Sequence, residues 1–390
     1  MALSALGVMP ALAQEDKPEP KRKIKVGVVG CGGRGSWIAG FFKQHGGYEL
    51  HAVADYFQNV ADRCGDKYGV DKARRFSGLS GYKKLIESGV EAVVIKDIPY
   101  FYPEQAKAAV EAGCHVYMAK PIAVDVPGCL AIESLSKLAT QKNLCFLVDY
   151  QMPTDPLNVN VANRIWAGGV GKLLAVMTTG AVARTAIHKG PPKGKNLESR
   201  LQNQVWVNDI ALGGDHLCVF DVHSIDTAIW IIRQRPISAV GYVEICRPNP
   251  QSDMHDLCFL VYECADGLRW NHQSLLMPCH GKNLVCNVSG QLASAQLSYW
   301  DESFLRGGPK NFDGGKVEGL YDRGAQHNVA AFHKNITEGH FENSTVPRAV
   351  DGTLTAILGR EAGTRQVKLT MEQVIKENKK LTVDLSGLKA

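Results

Sequence analysis

From Ile24 onward the chain alternates between two hydrophobic patterns. Short apolar runs rich in β-branched residues occupy 24–30 (IKVGVVG), 48–55 (YELHAVAD), 92–95 (AVVI), 115–118 (HVYM) and 145–148 (CFLV). Runs of this kind suit strands buried on both faces, as in a parallel sheet. The intervening stretches 36–44, 59–68, 81–88, 103–112 and 126–141 read as helices. Strict alternation of strand and helix predicts an α/β domain with a doubly wound parallel sheet over 23–150.

After residue 150 the pattern changes. A helix is expected at 158–166, a strand at 172–182 and a helix at 215–230. Strand-like runs then follow one another at 237–246, 256–264, 268–276, 283–288 and 295–299, with no helix between them. Consecutive strands predict a mostly antiparallel sheet. Two more helices, 326–337 and 348–366, complete an α+β domain over 151–390.

Residues 1–22 belong to neither pattern. MALSALGVMPALAQ carries no charge and ends in Ala-Leu-Ala before Gln14, and EDKPEP follows as a linker. An apolar stretch before an A-x-A site reads as the remnant of an export signal, here without its basic start. It is too short to span a bilayer. The expectation is a periplasmic or otherwise exported protein with no membrane insertion, or a cytoplasmic one if the remnant does not function.

Composition narrows the class. Of 390 residues, 45% are hydrophobic and 21% charged, an ordinary balance for a folded protein. The net charge of +5 is spread out, and the longest Lys/Arg block is 21–23. No basic face is apparent, so a nucleic-acid partner is not expected. Eleven cysteines form no CxxC pair, which argues against a metal framework and for buried, unbridged thiols.

The chemistry starts at Gly30-Cys31-Gly32-Gly33-Arg34-Gly35, a GxGxxG match through Gly30, Gly32 and Gly35. It follows a predicted strand and opens a helix, the context in which such glycines admit a pyrophosphate to a helix N-terminus. Asp55 ends the second strand 20 residues after Gly35, where a carboxylate can accept from ribose hydroxyls. Its neighbour Tyr56 is not basic, so NAD is expected rather than NADP.

Three further segments follow the motif in order: Asp97-Ile98-Pro99-Tyr100-Phe101-Tyr102-Pro103, then Ala119-Lys120-Pro121, then Gly213-Gly214-Asp215 with Val222-His223-x2-Asp226. This series resembles the glucose–fructose oxidoreductase / inositol dehydrogenase (Gfo/Idh/MocA) family over about residues 24–366, and its Ala-Lys-Pro resembles an exported branch. The resemblance implies a Rossmann domain, an open and mostly antiparallel second sheet that joins copies into a homo-oligomer, and oxidation or reduction of sugar and cyclitol carbinols. The family's usual Glu before Lys-Pro is Ala119 here, its His in the Pro-containing loop is Tyr102, and its acid four residues before the histidine is Val219.

Carried onto this sequence, the resemblance makes Lys120 and His223 the catalytic pair. Lys120, after a strand at the sheet's carboxyl end, would stabilise a developing alkoxide. His223 would shuttle the proton, with Asp226 three residues on to orient it or hold a sugar hydroxyl. Expected cofactor contacts are Gly30, Cys31, Gly32, Gly33, Arg34, Gly35, Asp55, Tyr56, Asp97, Pro99, Lys120 and Pro121. Expected carbohydrate contacts are Tyr102, Tyr150, Gln151, Arg184, Trp206, Asp209, Asp221 and Asp226, since aromatic faces and polar edges suit a sugar ring. His327 and Asn328 would close the pocket. The leading reading is an NAD-dependent sugar oxidoreductase with a tightly held, recycled NAD. The alternatives are an NAD-dependent glycosidase working through a transient 3-keto sugar and a non-catalytic sugar-binding protein.

Overall fold

The structure, a computed structural model, describes residues 22–182, 196–202, 205–248, 252–276 and 281–390. Strands β1 (Ile24–Val29), β2 (Tyr48–Asp55), β3 (Arg75–Ser77), β4 (Ala92–Ile95), β5 (His115–Ala119) and β6 (Phe146–Asp149) form a parallel sheet in the order β3-β2-β1-β4-β5-β6. Helices α1 (Gly33–His45), α2 (Gln58–Tyr68), α3 (Gly81–Glu87), α4 (Tyr102–Glu111) and α5 (Val126–Gln141) make the crossovers. The strand order reverses between β1 and β4, so a crevice opens at their carboxyl ends. The apolar runs read from the sequence lie on these strands, and the short β3 is an addition that too few residues announce.

Past α6 (Pro156–Trp166) come β7 (Leu173–Ala181), β8 (Ser238–Glu244), β9 (Leu257–Glu263), β10 (Arg269–Leu275), β11 (Asn283–Gly290), β12 (Ser294–Ser298), β13 (Glu302–Arg306), β14 (Phe312–Lys316) and β15 (Leu369–Thr370). They form a nine-stranded sheet, order β14-β13-β12-β11-β7-β10-β9-β8-β15. Only the β7–β10 pair is parallel, so the sheet is mostly antiparallel as expected. Helix Val222–Ile232 buries ten of its eleven residues, and Thr345–Arg365 buries fifteen of its twenty-one. The second also packs on α5, and one hydrophobic core runs through both domains. On the opposite sheet face Val240, Tyr242, Phe259 and Val261 are exposed.

Strands β13, β14 and β15 are not expected from the sequence, and two further features depart from its reading. The helix expected at 215–230 begins as a π-helical turn, Leu217–Asp221, before Val222–Ile232. Residues 381–390, assigned by pattern to the second domain, return to the first: Lys389 bonds Tyr56, Ser77 and Leu79, and Val383, Leu385 and Leu388 pack on a cluster that includes Ile98. Ten described cysteines are free, and of these only Cys246 is exposed. Among the described residues no helix is long and apolar enough to cross a membrane.

Candidate active site

A cleft of about 700 Å³ lies at the crevice. Its floor is the turn after β1. Gly30 has φ +84°, and a Cβ there would press into the Asp97 backbone. A Cβ on Gly35 would collide with the Gly30 carbonyl, whereas at Gly32 and Gly33 it would meet nothing within 4 Å. Two glycines therefore shape the turn and two leave bare backbone toward the cleft. No side chain caps the start of α1, so its first N–H groups are available to an anion.

Asp55 ends β2 in the cleft wall and is held by the backbone N–H groups of Cys31 (2.8 Å) and Phe57 (3.0 Å). Each carboxylate oxygen keeps a second lone pair for a ribose hydroxyl. Burial raises this carboxyl above its ordinary value. Asp97, across the turn, accepts from Gln105 at 2.6 Å, and burial with Asp55 nearby lifts it to about 6. The bare turn, the uncapped helix and the placed carboxylate fit a dinucleotide.

A buried charge cluster flanks the turn. Lys96, at the end of β4, donates to Asp149 at 2.7 Å, and its side chain is wholly buried. Arg34 lies 3.5 Å from the same carboxylate, and Asn328 donates to it at 2.9 Å. Burial pushes the Lys96 ammonium down to about 8. Burial alone would raise Asp149, but Lys96 and Arg34 hold it at about 2. Two cations against one anion leave a positive balance beside the turn, suited to a pyrophosphate. Sequence reasoning missed Lys96; a lysine directly after the apolar run AVVI was the available signal.

Lys120 follows β5, and the Lys120–Pro121 peptide is cis. Its ammonium donates to the Val219 carbonyl. That carbonyl lies in the π-turn one helical turn before His223, so the strand end and the helix bring the two residues together. The His223 ring stands 6.1 Å from Tyr150 and 5.4 Å from Tyr299, whose hydroxyl donates to Gln151. Tyr102 is buried at the start of α4.

Residues 24–150 match the model of GFO_IDH_MocA, an oxidoreductase family with an NAD-binding Rossmann fold. The match spans the whole first domain. Inositol 2-dehydrogenase 3 of Saccharopolyspora erythraea is 26% identical over 279 residues, 70% of this chain and 73% of that protein. Glycosyl hydrolase family 109 protein 4 of Phocaeicola vulgatus is 30% identical over 161 residues, 40% of this chain and 30% of that protein. Among solved structures, aldose-aldose oxidoreductase from Caulobacter crescentus, complexed with glycerol, shares the fold: TM-score 0.71, 16% identity, over 90% of this chain and all of that one. Levoglucosan dehydrogenase in complex with NADH gives TM-score 0.70 at 17% identity, covering 90% of this chain and 99% of its own. The first domain is thus an NAD-binding domain of this oxidoreductase family.

The remaining sequence candidates divide by position. Gly30, Gly32, Gly33, Arg34, Gly35, Asp55, Tyr56, Asp97 and Trp206 line the cleft. Cys31 presents its backbone N–H to Asp55 while its thiol points into the core. Pro99 is buried in a helical turn and Pro121 is buried after the cis bond; neither lines the cleft.

Asp226 pairs with Arg348 at 2.8 Å. Asp209 caps the short helix Ile210–Gly213 and pairs with Arg200. Asp221, expected at the sugar, lies beneath β7 and β10 instead. Its oxygens meet His216, His272 and Ser274, each at 3.0 Å. The extra residue of the π-turn directs it inward. His327 contacts the Thr154 carbonyl, and Asn328 steadies Asp149. Arg184 lies outside the described residues. No metal cluster occurs among the described residues.

Proposed function

We propose that this protein is an NAD-dependent oxidoreductase acting on a secondary hydroxyl or keto group of a sugar, glycoside or cyclitol. The observation that carries this reading is the meeting of Lys120 with the turn that leads into His223, beside a cleft that fits NAD. NAD, when bound, supplies the hydride acceptor. Lys120 hydrogen-bonds the reacting oxygen and stabilises its developing charge. His223 takes the hydroxyl proton, and Tyr150 and Tyr299 border its ring. The relatives named for inositol and sugar oxidation support the substrate class.

The test is a panel of inositols, aldoses and glycosides, read by cofactor absorbance on purified protein. Turnover of at least one supports the reading. Protein that binds no NAD(H) defeats it. A bound cofactor reduced by one sugar and reoxidised by a second, without release, would identify a recycling cycle.

A second reading rests on the likeness to the glycosyl hydrolase family 109 protein. A transient 3-keto sugar acidifies the neighbouring C–H, the aglycone is eliminated, and water adds back. Aglycone release from an aryl glycoside without net NADH would favour it. We further propose that residues 1–14 direct export, which fractionation of a bacterial host checks. The exposed apolar face of the second sheet joins copies into a homo-oligomer.

A further inference from the structure

We propose that residues 383–390 form part of the cofactor site, as a strap that must lift for NAD to enter or leave at its adenosine end. The proposal rests on the reading of the cleft as the NAD site. Leu385 and Ala390 line that cleft together with Asp55, Tyr56 and Gly78. Asp55 marks the end where the ribose hydroxyls of the adenosine half belong.

The segment is fastened to the rim of that end. The Leu79 N–H donates to the Lys389 carbonyl at 3.0 Å. The Lys389 N–H donates to the Tyr56 hydroxyl at 3.1 Å, and the Lys389 ammonium to Ser77 at 2.7 Å. Farther back the Val383 N–H reaches the Tyr100 hydroxyl at 3.4 Å. Val383, Leu385 and Leu388 pack on the cluster of Ile98, Leu197, Leu201 and Leu212, against which Tyr56, Phe57 and Phe101 also pack.

These contacts hold it shallowly. None of residues 383–390 is buried, and the three apolar side chains are only partly covered. A segment with few buried contacts opens locally at far lower free energy than the domain unfolds. Tyr56 takes part in both the cleft wall and the strap. A ribose held at Asp55 therefore stabilises the wall against which the strap closes, and a closed strap obstructs the ligand's exit. Cofactor residence becomes a property of these residues, separate from the hydride chemistry at Lys120 and His223.

The experiment measures NADH dissociation by fluorescence after displacement with excess NAD. It compares the full chain, a chain ending at Thr382, and the point variants Lys389→Ala and Leu388→Asp in the full chain. Loss of the strap should speed dissociation about tenfold, since affinity changes at one site fall mostly on the off-rate. Leu388→Asp should show part of that effect. ADP-ribose affinity should fall with it, while nicotinamide mononucleotide affinity should not. Hydrogen exchange on the full chain adds a readout independent of folding in the variants: NADH should protect 383–390. Equal dissociation rates with no protection of 383–390 overturn the strap and leave the cofactor site standing. A full chain that binds no NADH overturns both.

Discussion

At the scale of single residues, the proposed site joins two side chains delivered by different domains. Lys120 is set by a strand end of the first sheet, and His223 by a helix laid on the second. His223→Ala should lower kcat by about two to three orders of magnitude, the range for loss of a general acid–base group. It should leave NADH affinity near that of the parent, because His223 does not line the cofactor cleft. Lys120→Ala should cost a similar factor in kcat through the lost stabilisation of the oxyanion. Steady-state kinetics with fluorescence-measured NADH binding separates the two quantities. Unchanged kcat in the double variant would move the chemistry elsewhere or argue for a binding protein.

At the scale of elements, the turn between β1 and α1 and the π-turn before His223 each leave no room for a Cβ at a neighbouring glycine, Gly35 and Gly180. In the first, Gly35 has no room for a Cβ because the Gly30 carbonyl lies against it. Gly35→Ala should abolish measurable NADH binding and lower Tm, since backbone cannot yield as a flexible side chain can. In the second, the extra residue directs Asp221 into a pocket of His216, His272 and Ser274 under Gly180. Burial alone would raise that carboxyl, but the two imidazoles hold it at about 2. A free aspartate titrates at about 3.9, so the stabilisation is complete above about pH 4 and is lost as the pH falls toward 2. By linkage this is worth about 2–3 kcal/mol. Asp221→Asn should be less stable at neutral pH and show a flatter decline between pH 4 and 2 in denaturant titrations.

These two elements also show what a sequence reveals. The β1 turn was legible because its glycines sit at fixed spacing between a strand and a helix. Most strands of both sheets were legible because burial on one or two faces imposes a period on the chain, but the short β3, β13, β14 and β15 were not. The inward turn of Asp221 was not, since a regular helix would have put it elsewhere and one inserted residue leaves no mark on composition. Lys96 and Asp149 were overlooked for a related reason: each looks like a surface charge until the fold brings them to 2.7 Å. The return of residues 381–390 had no local signal at all, because half-exposed leucines spaced by polar residues fit a loose terminus equally well.

At the scale of the whole molecule, the second sheet is covered by helices on one side and bare on the other. In the register, Tyr242 stands opposite Phe259 and Val240 opposite Val261 across β8 and β9, and all four are more than 40% exposed. Adjacent cross-strand pairs make these a contiguous patch rather than scattered apolar residues, and contiguous patches mark interaction surfaces. The flanking strands add Met177, also exposed, and the uncharged Asn271 and Gln273, which lets the patch continue without burying charge. A second copy presenting the same face by a two-fold axis would cover it with matching chemistry. None of these residues lines the cofactor cleft, so breaking this face should alter assembly before it alters NAD binding. If the proposed homo-oligomer forms through this face, Phe259→Asp with Tyr242→Asp should give a monomer by light scattering on a sizing column, with NADH affinity unchanged. A parent protein that is monomeric at micromolar concentration would refute the interface outright, and a loss of NADH binding in the double variant would mean that assembly holds the first domain in its working form.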